Sequence, residues 1–92
     1  MPYIDQSSRD GFVEVGEAME NAEIHTPGEL NYICTLAIRE FMRDKKFCYA
    51  TLNEAIGALE CCKLELYRRL ASPYEDECVK KNGDIDFYER YN

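Results

Sequence analysis

Between Tyr49 and Arg69 the chain reads YATLNEAIGALECCKLELYRR, and no other stretch constrains the fold as much. At roughly 100° per residue, Leu52, Ala55, Ile56, Leu59, Cys62, Leu66 and Leu70 share one continuous stripe, the periodicity of an amphipathic helix. Thr51-Leu52-Asn53-Glu54 supplies a start signal. The Thr51 hydroxyl is spaced to accept from the Glu54 backbone N–H, and the Glu54 carboxylate to reach back to Thr51. Lys63 projects within the apolar stripe, and Asn53, Glu60 and Tyr67 run along one flank at heptad spacing. An ammonium in such a stripe is costly unless it finds a partner or water. That conflict makes this helix the first place to look for a site.

Two further segments open with similar signals. Thr26-Pro27-Gly28-Glu29 places Thr at the cap, Pro at the first helical position and Glu at the capping-box position. Ser72-Pro73-Tyr74-Glu75 repeats the arrangement. Phe12, Val15 and Met19 form an earlier stripe of helical spacing, weakened by Gly11 and Gly16 at about 1 kcal/mol each. The predicted architecture is all-α: a small bundle of about four helices near residues 8–22, 27–44, 51–71 and 73–81, forming one helical domain over residues 1–92. Asp44-Lys45-Lys46 close the second helix with cations at the negative end of its dipole. Asn82-Gly83 stop the fourth. Residues 84–92, with Ile85, Phe87, Tyr88 and Tyr91 between charges, form a strand-like arm, a helical turn or a flexible tail.

The second helix carries an unusually broad apolar surface. Leu30, Ile33, Cys34, Ala37, Ile38 and Phe41 make its main face, Met42 widens it, and Tyr32 and Leu36 lie mostly on the other side. A chain of 92 residues buries only about 60–65% of its unfolded surface. Self-association into a homo-oligomer is the expected way to cover the remainder.

Charge narrows the partners. With a formal net charge of −7, the chain lacks the clustered cations of a general nucleic-acid surface, so no direct DNA or RNA binding is expected. The sequence holds no run of 18 apolar residues and no basic-then-apolar leader, so neither a membrane span nor a signal peptide is expected. Cys34, Cys48, Cys61, Cys62 and Cys78 contain no CxxC pair, and Cys61 and Cys62 point about 100° apart on a helix. They are expected to be buried small hydrophobes in a reducing cytoplasm.

Enzymatic chemistry finds little to work with. A magnesium site needs several inward carboxylates one helical turn apart. Glu54, Glu60 and Glu65 lie at about 200°, 80° and 220° around the helix and do not meet this spacing, and Glu75, Asp76 and Glu77 are consecutive and splay apart. His25, just before a helix, is the only imidazole available to activate a nucleophile, and the glycines are isolated rather than gathered into a phosphate loop. The expectation is a non-enzymatic protein without cofactor or metal.

The flank of Lys63 is left as the candidate ligand site. Asn53 and Glu60 can read hydrogen-bonding edges, Lys63 can neutralise phosphate, and Tyr67 offers a ring for stacking. Arg68 and Arg69 follow on other faces, and Arg9 and Tyr49 are candidates to join from neighbouring elements. A structural alternative is as concrete: Lys63 pairs with Glu60 three residues earlier, or with a carboxylate across an interface, and fixes register in an oligomer.

Four segments taken together carry a family resemblance: Met1-Pro2-Tyr3-Ile4, Gly28-Glu29-Leu30-Asn31-Tyr32, the Tyr49–Arg69 stretch and Pro73-Tyr74-Glu75-Asp76. The chain resembles a family of small uncharacterised proteins of tailed phages and some bacterial genomes. The resemblance implies a phage accessory protein acting in the cytoplasm of an infected bacterium. Two modes of action fit that context. One is a homo-oligomer that sequesters a nucleotide-type immune signal, which the Lys63 flank favours. The other is an acidic inhibitor of a host defence protein, which the net charge favours.

Overall fold

Thr26 and Glu29 show how local chemistry places a helix. In the computed structural model, which describes residues 4–91, the Thr26 hydroxyl accepts the Glu29 N–H at 3.1 Å. The Glu29 carboxylate accepts in return from the N–H groups of Thr26 at 2.8 Å and His25 at 2.9 Å. Pro27 stands in the first turn, where a missing N–H costs nothing. These bonds start α3, Pro27–Met42, at the predicted residue. They also hold the Glu29 carboxyl below its ordinary range, the His25 and then the Thr26 N–H being the main causes. A carboxyl held low adds stability above its unfolded value, and that stability is lost as pH falls through the folded value. Thr26→Ala is therefore expected to lower stability by about 1 kcal/mol. Glu29→Gln should flatten the acid limb of the stability curve. Urea midpoints taken from neutral pH down through the carboxylate range check both, and parallel acid limbs for wild type and Glu29→Gln would contradict the second.

Upstream, the helix predicted over 8–22 is split. It consists of a short α1, Gln6–Arg9, a 3-10 turn at Asp10–Phe12 that contains Gly11, and α2, Val13–Ala22. Glu23 ends α2 in the left-handed region at φ 56°, a conformation that costs a non-glycine residue about 1–2 kcal/mol. After α3, the Lys45 ammonium donates to the Phe41 carbonyl at 2.6 Å and lies 3.8 Å over the Phe41 ring. This is the predicted cation at the helix C-terminus.

α4, Tyr49–Leu66, begins two residues ahead of its predicted start. The Cys48 carbonyl accepts the Leu52 N–H at 3.1 Å, so Cys48 stands at the cap position. Thr51 lies inside the first turn and is buried, its hydroxyl 3.4 Å from the Cys48 sulfur. A capping residue needs non-helical backbone, and Thr51 is already helical. The Thr51–Glu54 capping box is accordingly not formed.

The predicted break at Ser72-Pro73 is also absent. α4 passes through a π-helical segment, Tyr67–Ala71, directly into α5, Ser72–Asn82. Pro73 has no N–H to offer the Arg69 carbonyl, and in an α-helix its ring would clash with that carbonyl. Widening the turn takes up the misfit without ending the helix: the Ser72 N–H reaches the Tyr67 carbonyl, five residues back. Ser72 is thus a helical residue and makes no side-chain cap. The stop at Asn82-Gly83 forms as predicted. Gly83 adopts φ 84°, ψ 156°, a backbone that glycine alone takes readily, and donates to the Val79 carbonyl at 2.8 Å. α6, Asp86–Glu89, resolves the open reading of the last segment as a helical turn. In it, Phe87 meets Tyr88 and Tyr91 edge-on at 5.3 and 5.6 Å. Met1-Pro2-Tyr3 and Asn92 lie outside the described residues.

Among the described residues there is no strand, and the fold is all-α as expected. The chain divides into two units, Met1–Ala58 and Leu59–Asn92, with the boundary inside α4. In the first, Thr51 and Ala55, one turn apart on α4, are buried. Ile33, Cys34, Leu36, Ile38, Met42 and Leu52 are half-buried. In the second unit no described side chain is buried. The stripe on α4 is largely open to water, with Ile56, Leu59, Leu66 and Leu70 exposed. The cysteines are not buried either: Cys61 and Cys62 are exposed, and Cys34, Cys48 and Cys78 are half-buried. Two free-standing folded units of these lengths would together expose about 6,600 Å². The chain exposes 8530 Å². The exposed side chains include large apolar ones, among them Phe12, Leu30, Ile56, Leu66 and Leu70.

Candidate functional site

Lys63 does not sit in a dry stripe. Its ammonium pairs with Glu60 at 3.0 Å, one turn earlier on α4, and its side chain is 69% exposed. Hydration therefore removes the conflict seen in the sequence. A surface pair of this kind contributes about 0–1 kcal/mol, so it holds Lys63 only weakly.

The next turn holds the other cations. Arg68 and Arg69 both approach the same oxygen of Glu65, each at 3.0 Å. Glu65 is 17% exposed, so this carboxylate is more sheltered than the guanidiniums it joins. Its place three and four residues ahead of the arginines is ordinary helical pairing, visible in the spacing. The sequence reading nevertheless passed over it in favour of ligand contacts.

Tyr67, the first residue of the π-helical segment, is committed elsewhere. Its hydroxyl donates to both carboxylate oxygens of Glu75, at 2.9 and 3.0 Å. Donation to Glu75, and the negative charge there, push the Tyr67 phenol above its ordinary value. The contact spans eight residues and staples α5 back across the wide turn. An unbroken α-helix would place Tyr67 and Glu75 about 80° apart, so sequence spacing alone does not reveal it.

The remaining candidates lie in the first unit. Arg9 donates from Nε to the Ile4 carbonyl at 3.3 Å. Tyr49 is 81% exposed, and Asn53 is exposed on α4. Of the eight residues singled out in the sequence, the structure joins Glu60 with Lys63, and Arg68 with Arg69 through Glu65. Arg9, Tyr49 and Asn53 belong to the first unit, Lys63 and Tyr67 to the second, and the Tyr67 hydroxyl is held by Glu75. No three His, Cys, Asp or Glu side chains among the described residues are grouped to hold a metal ion. No helix among them is long and apolar enough to cross a membrane.

Two features escaped the sequence reading. Cys48 has a thiol held below its ordinary value, first by the Thr51 hydroxyl, then by the Thr51 N–H at the start of α4. The second feature is a pair of clefts along the α2–α3 hairpin. One, about 340 Å³, is lined by Val15, Ala18, Met19 and Ala22 of α2 and by Ile33, Leu36, Ala37, Arg39 and Glu40 of α3. The other, about 480 Å³, lies at the turn around Glu23, Ile24 and Thr26 and reaches Tyr32. Neither contains any of the eight predicted residues. The apolar spacing of Val15 and Met19 was visible, but that α2 and α3 leave a cleft between them was not.

A family model described as a domain of unknown function, DUF6899, matches residues 1–85. The chain belongs to this family. The match covers both α2–α3 clefts, the Lys63–Arg69 turn and nearly all of the helical chain, leaving α6 beyond it. No curated protein matches the chain, and no solved structure does.

Proposed function

We propose that this DUF6899 protein is a non-enzymatic helical protein that works as a homo-oligomer, with its functional surface built between chains. The observation that carries this reading is the surplus of exposed surface, 8530 Å² against about 6,600 Å² for two folded units. Light scattering at micromolar concentration tests it directly. A mass that is a multiple of 10.7 kDa is the expected result, and the single-chain mass overturns it.

In its finer form the proposal is sequestration of a nucleotide-type immune signal in the cytoplasm of a phage-infected bacterium. Its support is a run of cations on successive turns: Lys63 is weakly paired and exposed, and Arg68 and Arg69 follow within a π-helical segment, a feature frequent at functional sites. A phosphate arriving from another copy's surface would compete with Glu60 for Lys63. Incubating the protein with a panel of cyclic and ADP-ribose-type nucleotides, denaturing it and analysing what returns is the test. Intact ligand is expected. Lys63→Met should weaken its uptake about 10- to 150-fold, the effect of losing one charge-assisted contact. Altered ligand overturns the non-enzymatic reading. Absence of uptake overturns sequestration and leaves the acidic-inhibitor reading, which rests on Glu14, Glu17 and Glu20 spaced along α2 without a cation in that helix.

A further inference from the structure

We draw no further inference here: the strongest candidate, the largely apolar cleft between α2 and α3, carries none, because its charged lining is Arg39 paired with Glu40 and nothing in the structure shows what covers it.

Discussion

Unfolding of this protein is expected to depend on its own concentration. Thr51 and Ala55 are the side chains buried within one copy among the described residues, too little core to offset the entropy of ordering so many helical residues. On the proposed self-association, stability comes from apolar surface covered by other copies, and unfolding releases those copies. For a dimer, each tenfold dilution removes about 1.4 kcal/mol from the folded state. A hundredfold dilution should lower the melting temperature by about 5–10 °C for an assembly of this size. Helical circular dichroism should fall together with the mass from light scattering as the protein is diluted. A melting temperature that stays constant across that range would show that one copy is stable by itself, and the oligomer would lose its energetic basis.

The second large effect is expected at Pro73. If the missing N–H and the ring of Pro73 cause the π-helical turn, Pro73→Ala lets residue 73 donate to the Arg69 carbonyl and the turn closes to α geometry. Proline costs about 3 kcal/mol in a helix interior, and the wide turn has already relieved part of that, so a gain of about 1–3 kcal/mol is expected. Closing the turn also removes one residue's worth of rotation, turning α5 by about 100° relative to α4. Glu75 would swing away from Tyr67, and the Tyr67 phenol, now raised by that carboxylate, would titrate closer to its ordinary value. Carbon-13 labelled tyrosine spectra across the alkaline range follow this one ring among the tyrosines. A Tyr67 titration identical to wild type, with no gain in stability, would show that the wide turn has another cause.

How much of this was legible in the residues depended on how far apart the interacting partners lie. Thr26, Pro27 and Glu29 satisfy one another within a single turn, so the start of α3 could be read directly and forms as expected. Gly83 ends α5 because only its backbone takes φ 84° readily, and Lys45 finds the last carbonyls of its own helix. At Thr51 and Ser72 the same local signal failed. Cys48 had already opened α4 one turn earlier, and the chain from Tyr67 to Ala71 widened instead of breaking, so neither residue kept the non-helical backbone that a cap requires. The flank of Lys63 failed differently. Its placement on α4 was correct, but spacing cannot tell whether a stripe is covered, and here Lys63 meets Glu60 in water.

Helical periodicity, one working capping box and a glycine stop thus determined by themselves that the chain is all-α and where α3 begins and α5 ends. Tertiary structure alone decided that Tyr67 is bound to Glu75 and that α2 and α3 leave a largely apolar cleft. The physical reason is that a helix propagates through bonds between residues four apart. Burial depends on which surfaces meet, and that is set by side chains distant in sequence.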